Sequence, residues 1–353
     1  MEKIQNIART NISELVPYSS ARELFAGENC IMMDANENPF GKKLNRYPDP
    51  MQKDLKRQIA ERENINTENI NTENIFLGNG SDEIIDLVFR IFCRPAIDNV
   101  VTIEPTYGMY EVLARINDVE IRKAPLDENF DMSADKLLSK SDAGTKVVIL
   151  CSPNNPTGNL LDKEEVRFLL NNFPGIVLLD EAYIDFSNDS GFLEELDDFP
   201  NLVVLQTLSK GWGLAGIRLG KAFATKEIID LLNKVKFPYN VSRVNQEIAK
   251  KVISRSRRVR SKINTIVKER GKLEKRLQSF SFIEKIFPSD ANFLLIRVKD
   301  APGLMKFMSS SGILLRDRSG QKGCLNCIRV TAGTPRQNQK LLKTFRKYER
   351  GLS

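Results

Sequence analysis

The fold is decided by the stretch Leu202-Val203-Val204-Leu205-Gln206-Thr207-Leu208-Ser209-Lys210, an apolar run of strand length that ends on a serine and a lysine. A second apolar run, 176–179, is followed directly by Asp180, and Tyr183 comes three residues later. Apolar runs of this kind are typical of a parallel sheet that is buried on both faces. Ligands of such sheets bind outside the carboxyl ends of the strands. We therefore expect Asp180 and Lys210 to face one site.

Short apolar strands alternate with helical patterns on both sides of this stretch. The predicted strands are 75–77, 100–103, 119–121, 147–151, 176–180, 202–207 and 219–224. The predicted helices between them are 82–92, 107–116, 163–172 and 226–236. This alternation predicts an α/β fold in which a large domain has a mostly parallel seven-stranded sheet flanked by helices.

The last third of the chain predicts a smaller α+β domain. It begins with one long helical pattern, 245–277. Shorter strand patterns follow at 286–287, 293–297, 313–315 and 328–331, with helical patterns at 303–310 and 337–348. We place the N-terminal arm at 1–35, the large domain at 36–265 and the small C-terminal domain at 266–353.

The composition excludes several classes of protein. No apolar run approaches the roughly 20 residues that a membrane helix needs, and the N-terminus lacks the apolar core of a signal peptide. We expect a cytoplasmic protein without a membrane partner. The net charge is +7, and the basic residues are densest at 255–260, inside the long helical pattern. Because no aromatic residues or recognised motif accompany them, we interpret them as a solvated helix face, with no nucleic-acid partner.

The chain contains no histidine, which excludes Ser-His-Asp and Cys-His catalysis. The five cysteines are scattered, and the pair Cys324 and Cys327 has no second pair or histidine to complete a zinc site. We therefore expect no metal. Proton transfer near neutral pH must fall to a lysine, carboxylate, tyrosine or cysteine, which favours Lys210.

The polar residues near Asp180 and Lys210 match the needs of pyridoxal phosphate (PLP). A carboxylate at the end of a buried strand, Asp180, could pair with a protonated pyridine nitrogen. Asn155 and Tyr183 could donate to the phenolic oxygen. Ser209 and Arg218 could hold a phosphate, as could the helix start after Gly78-Asn79-Gly80, where Ser81 is a good N-cap. Each residue alone has a common structural explanation, but together they predict a PLP enzyme.

A competing motif is Gly211-Trp212-Gly213-Leu214-Ala215-Gly216, which matches GxGxxG. A dinucleotide site requires an acidic residue at a strand end about 20 positions later. The corresponding segment, 234–237, is basic and helical in pattern. We therefore disfavour dinucleotide binding and interpret the glycines as a backbone that passes close to the cofactor.

Taken together, the chain resembles the fold-type I PLP-dependent aminotransferases, and among them the histidinol-phosphate aminotransferase family, over nearly its whole length. The segments that carry the resemblance are 17–22, 34–39, 45–48, 105–110, 151–158, 180–183, 207–210, 214–220, 312–317, 328–331 and 333–334. Two departures are the pentapeptide INTEN at 65–69, repeated at 70–74, and the Cys324–Cys327 stretch before Arg329. We interpret the repeat as a lengthened surface loop.

The resemblance implies a role for each matching residue. Lys210 would form the internal aldimine and shuttle the proton, assisted by Asp180 and Tyr183. The implied cofactor-binding residues are Ser81, Asp82, Tyr107, Asn155, Asp180, Tyr183, Ser209, Lys210 and Arg218, with Tyr47 from the second subunit of a homodimer. The implied substrate-binding residues are Tyr18, Asn36, Tyr47, Arg316 and Arg329. Arg329 would clamp either the glutamate α-carboxylate or a phosphate ester.

The implied reaction interconverts L-histidinol phosphate plus 2-oxoglutarate with imidazole acetol phosphate plus L-glutamate, in histidine biosynthesis. The sequence leaves three alternatives. Threonine-phosphate decarboxylase shares much of the scaffold, and Tyr18 and Tyr107 could also accept the ring of an aromatic amino acid. A PLP-binding transcriptional regulator is disfavoured because the arm before Asn36 is too short for a helix-turn-helix unit.

Overall fold

The apolar strands form the centre of the fold in the computed structural model, which describes residues 4–18, 31–41, 44–63 and 71–352. Seven of them make one sheet: β1 (Ile75–Gly78), β2 (Asn99–Glu104), β3 (Glu120–Pro125), β4 (Thr145–Cys151), β5 (Ile176–Asp180), β6 (Leu202–Thr207) and β7 (Gly220–Phe223). Their order is β1-β7-β6-β5-β4-β2-β3. Strand β7 is antiparallel to both of its neighbours, and the other pairs are parallel. The predicted mostly parallel seven-stranded sheet is confirmed.

Helices cover both faces of this sheet. In β5, Val177 and Leu179 belong to one apolar core, whereas Ile176 and Leu178 belong to the other. This alternation explains why the strand is apolar throughout. The helices of this region are α1 (Ile4–Ile7), α2 (Thr10–Ser13), α3 (Lys53–Arg62), α4 (Ser81–Phe92), α5 (Met109–Ile116), α6 (Ala134–Lys140), α7 (Lys163–Asn172), α8 (Lys226–Val235) and α9 (Arg243–Ile253).

The long helical pattern at 245–277 is two helices instead of one. Helix α9 ends at Ile253, and α10 (Ser256–Leu277) begins after a short break. Val259 and Ile263 of α10 are buried, while the arginines at 255, 257, 258 and 260 are exposed. The basic run is therefore a solvated helix face. The domain boundary placed at residue 265 falls inside α10 and stays a prediction.

A second, antiparallel sheet follows. Its strands are β8 (Ile283–Ile286), β9 (Phe293–Val298), β10 (Arg316–Asp317) and β11 (Cys327–Thr331), in the order β10-β11-β9-β8. Helices α11 (Ala301–Ser310) and α12 (Pro335–Leu352) accompany it, so the chain has the expected smaller α+β unit. The predicted strand at 313–315 is wrong: Ile313 and Leu315 pack against the apolar core of this unit, and strand pairing starts only at Arg316.

The first INTEN copy lies outside the described residues, and the second ends in a 3-10 turn, Thr72–Asn74, capped by Asn71. Within the described ranges, no helix is both long and apolar enough to cross a membrane.

Candidate active site

A cavity lies where β1, β4, β5 and β6 end and α4 begins. Its lining residues are Ser81, Asp82, Tyr107, Cys151, Asn155, Asp180, Ala182, Tyr183, Thr207, Ser209, Lys210 and Arg218. We call it the cofactor cavity. It brings together every residue predicted to bind the cofactor except Tyr47. The parallel strands explain this convergence, because their carboxyl ends meet at one edge of the sheet.

Asp180 lies at the floor of the cavity and is 3% exposed. The hydroxyl of Tyr110 donates to Asp180 Oδ2 over 2.7 Å, and the backbone N–H of Ala182 donates to Oδ1 over 3.0 Å. Burial raises the pKa of Asp180 to about 6, against the two hydrogen bonds, which lower it. A cationic ligand group at this carboxylate would remove most of the cost of burying its charge.

Lys210 follows β6 and faces the cavity. Its side chain is exposed to the open cavity, but surrounding protein desolvates the amine. This desolvation lowers the pKa of Lys210, and the positive charges of Arg329 and Arg218 lower it further. The lysine Nζ lies 5.5 Å from the centre of the Tyr183 ring. A lowered pKa increases the neutral fraction of the amine, which is the nucleophilic and basic form.

One end of the cavity is suited to an anion. Helix α4 begins there at Ser81, after Gly80, whose φ of +84° is in the left-handed region. Gly80 and not Ser81 is therefore the N-cap, which corrects the sequence prediction. A Cβ on Gly80 would lie 2.7 Å from Arg218 Nη2, so only glycine admits the arginine beside the helix N-terminus. Arg218 also approaches Asp82, with 3.4 Å between Nη2 and Oδ2.

Aromatic side chains form part of the wall of the cofactor cavity. The Tyr107 ring is half-buried and makes an edge contact with Tyr110, with 5.4 Å between ring centres. Burial raises the pKa of Tyr107 to about 12, so its hydroxyl stays protonated at neutral pH. Burial also raises the pKa of Tyr183, whose ring packs edge-on against Phe293 of the small unit at 5.2 Å.

Two predicted substrate residues lie side by side near this cavity. Arg316 of β10 is directly opposite Arg329 of β11. Arg329 Nη1 donates to Asn155 Oδ1 over 2.5 Å, which ties the small unit to the cavity wall.

The other predicted substrate residues lie elsewhere in this chain. Tyr18 is 73% exposed. Asn36 and Tyr47 line a separate surface groove, where the Tyr47 ring stacks on Tyr239 at 4.3 Å. A single chain therefore does not bring Tyr18, Asn36 or Tyr47 to the cofactor cavity.

Tyr110 was not predicted as a site residue, although its hydroxyl donates to Asp180. The available signal was its spacing: it follows Tyr107 by three residues, and both side chains lie near the N-terminus of α5. In the predicted helix 107–116, residues three apart are neighbours on the surface, although in the structure α5 begins only at Met109. Cys151 and Thr207, which end β4 and β6, were also missed as lining residues.

The chain is similar to one family model, to a curated relative and to two solved structures. The family model described as aminotransferase class I and II matches residues 28–345. The chain is 50% identical, over 98% of its length and 99% of the relative's, to a histidinol-phosphate aminotransferase of Parabacteroides distasonis. Among solved structures, it is 26% identical to the histidinol-phosphate aminotransferase of Clostridium acetobutylicum, with a TM-score of 0.80 over 90% of this chain and 98% of that one. It also shares its fold with the Sinorhizobium meliloti enzyme in complex with pyridoxal-5'-phosphate, at 23% identity and a TM-score of 0.79 over 90% of each chain.

Proposed function

Because this chain belongs to the class I and II aminotransferases, a PLP-dependent family, we propose that it transfers an amino group between L-histidinol phosphate and 2-oxoglutarate in histidine biosynthesis. The observation that carries the substrate is the pair Arg316 and Arg329 beside the cofactor cavity. Guanidinium groups bind phosphate and carboxylate with two parallel hydrogen bonds. The name of the P. distasonis relative supports the phosphate-bearing substrate.

The donor set of the cavity fits PLP. The Asp180 carboxylate would face the pyridine nitrogen, and the start of α4 with Ser81, Ser209 and Arg218 would hold the phosphate. Asn155 and Tyr183 would donate to the phenolic oxygen. When bound, PLP supplies an electron sink that makes a proton on the substrate carbon acidic.

The protein residues then position groups and move the proton. Lys210 Nζ would hold the cofactor covalently at rest, and would afterwards move the proton from the substrate Cα to the C4′ carbon of the cofactor. Its lowered pKa suits both tasks, because general bases work best when their pKa lies near the working pH. Tyr110 and the N–H of Ala182 keep Asp180 in one orientation. The small unit closes one side of the site through Phe293 and Arg329.

A homodimer in the cytoplasm is part of the proposal. The stretches 31–41 and 44–50 expose large apolar side chains, among them Ile31, Met33, Phe40 and Leu44. Exposed apolar surface of this kind marks interaction sites. A second copy that covers these stretches would carry Tyr47 and Asn36 to the cavity of its partner, which explains why one chain holds them apart from its own cavity.

The test is a substrate panel with the PLP-loaded enzyme. Histidinol phosphate, phenylalanine and phosphothreonine are compared as amino donors to 2-oxoglutarate, with carbon dioxide release measured in parallel. We expect the highest kcat/KM for histidinol phosphate and no carbon dioxide from phosphothreonine. A preference for phenylalanine, or decarboxylation of phosphothreonine, would refute the proposed substrate.

A further inference from the structure

Three arginines share one face of the β10–β11 hairpin. Arg316 and Arg329 are direct cross-strand partners. The pairing continues for one more residue, because the backbone N–H of Arg318 donates to the carbonyl of Cys327 over 2.8 Å. Side chains two apart on a strand project from the same face, as do those of direct cross-strand partners. Arg316, Arg318 and Arg329 therefore form one cluster, which we call the arginine face.

Few protein groups balance the positive charge of the arginine face. Asp317, the acidic neighbour, projects from the opposite face of the strand. Across the described part of the chain, no carboxylate forms an ion pair with any of the three arginines, and their guanidinium groups make one hydrogen bond, from Arg329 to Asn155. Like charges directly across two strands are destabilising. A ligand that carries negative charge would remove this repulsion.

Arg318 is half-buried, and its guanidinium group makes no hydrogen bond or ion pair with the described residues. Its Nε is buried and has no hydrogen-bond partner, and the Oγ of Ser319 beside it is in the same condition. Burial, followed by the positive charges of Arg329 and Arg316, lowers the pKa of Arg318 to about 10. A buried donor without a partner destabilises the folded protein, so its presence here points to a partner that the chain itself does not supply.

The arginine face is held against the cofactor cavity. The turn that follows Arg318 is fixed to the large sheet by Gln321, whose Nε2 donates to the carbonyl of Thr106 over 3.2 Å. Thr106 directly precedes Tyr107 of the cavity. On the other strand, Arg329 reaches Asn155. These two contacts hold the hairpin that carries the arginine face beside the cavity.

We propose that Arg318 determines substrate specificity by binding, together with Arg316 and Arg329, the phosphate monoester of the amino donor. This inference rests on the proposed function. A phosphate monoester carries close to two negative charges at neutral pH and three acceptor oxygens, whereas a carboxylate carries one charge. Three guanidinium groups therefore match the charge of a phosphate monoester better than that of a carboxylate. The cofactor phosphate would be held by different residues, Arg218 and the start of α4, which line the cofactor cavity.

The test separates the two half-reactions of the PLP-loaded enzyme. Arg318→Gln is compared with the wild-type enzyme in single turnovers with histidinol phosphate and, separately, with glutamate. We expect the apparent dissociation constant for histidinol phosphate to rise about 10- to 100-fold, the range for a lost charge-assisted hydrogen bond. The constant for glutamate should change less than about threefold, since glutamate lacks a phosphate.

Two further variants control this result. Lys322→Gln removes one positive charge four residues away, from an exposed side chain, and should leave both half-reactions unchanged. Arg318→Lys keeps the charge but loses the planar fork, so it should recover only part of the phosphate affinity. Equal losses in both half-reactions, a loss confined to glutamate, or a matching loss in Lys322→Gln would each overturn the inference. Thermal unfolding of the variants identifies any loss that comes from misfolding.

Inorganic phosphate distinguishes failure of this inference from failure of the proposed function. If the wild-type enzyme does not turn over histidinol phosphate, the proposed function fails. In that case phosphate is used as a competitor of the glutamate half-reaction. An inhibition constant about tenfold higher in Arg318→Gln than in the wild type would still support a phosphate site at Arg318. An unchanged constant would overturn it.

Discussion

In the cofactor cavity, Asp180 is held by Tyr110 and Ala182, and Asp82 lies close to Arg218. In the arginine face, which lies beside this cavity, Arg316 and Arg318 have no carboxylate partner within the described ranges. The charged groups of the cavity are thus held by protein partners, whereas the arginine face depends on a ligand for its charge balance. Removing a group from the cavity should therefore cost catalysis or stability, and removing an arginine should cost only substrate binding.

The largest effect is expected for Lys210→Ala. This variant removes both the covalent attachment of the cofactor and the proposed base, and a positioned base alone contributes up to about 10⁴-fold. We expect turnover to fall by at least about that factor, and the visible absorption of the lysine-bound cofactor to disappear. Lys136→Ala, at an exposed helix position, should retain both. Partial rescue of Lys210→Ala by added methylamine would support the base role. Normal turnover in the variant would contradict the mechanism.

The next effect is expected for Asp180→Asn, which removes the negative charge proposed to face the pyridine nitrogen. The asparagine side chain has the same shape and can still accept from Tyr110. A lost hydrogen bond between charged groups is worth about 1.5–3 kcal/mol, so kcat/KM should fall about 10- to 150-fold. Asp135→Asn, on the exposed side of α6, serves as the control. If Asp180→Asn kept full activity, Asp180 would have only a structural role.

The sequence could predict the parts of this site that follow from local patterns, but not the contacts between segments that are far apart in the chain. Lys210 and Asp180 end strands, and strand ends can be recognised from local apolar patterns. The bond from Tyr110 to Asp180 joins helix α5 to strand β5, so it exists only after the layers have packed. The arginine face has the same origin: residues 313–315 have the pattern of a strand, but pairing starts at Arg316, and that register puts Arg318 beside Arg329. Local sequence does not contain the register of two strands.

A smaller effect is expected for Tyr110→Phe. It removes the hydroxyl that stabilises the Asp180 carboxylate, so unfolding free energy should fall by about 1.5 kcal/mol in the apoprotein near pH 8. The effect should depend on pH. Burial raises the pKa of Asp180 from 3.8 to about 6 in the folded state, so its contribution to stability is present below pH 4 and is lost as the pH rises through 6. Without Tyr110 the folded pKa rises further, and the loss grows.

Urea unfolding of both apoproteins between about pH 4.5 and pH 8 checks this prediction. The wild type and Tyr110→Phe should differ little at the acid end and most at the alkaline end. Tyr348→Phe, at a buried tyrosine of the small unit, should show no such divergence. A constant difference between wild type and Tyr110→Phe at every pH would mean that the tyrosine contributes packing alone.

The smallest effect is expected for Arg316→Gln, and its sign tests the comparison directly. Arg316 lies opposite Arg329 without a carboxylate partner, so its removal should leave the unfolding free energy unchanged or raise it by about 0.2–1 kcal/mol at low salt. Added salt should shrink the gain, because it screens exposed charges. The matched control is Arg167→Gln, since Arg167 pairs with Glu195 over 2.8 Å and also with Glu164, and its loss should lower stability. If Arg316→Gln were destabilising to the same degree as Arg167→Gln, the arginine face would have partners in the protein, and a ligand would not be needed to balance its charge.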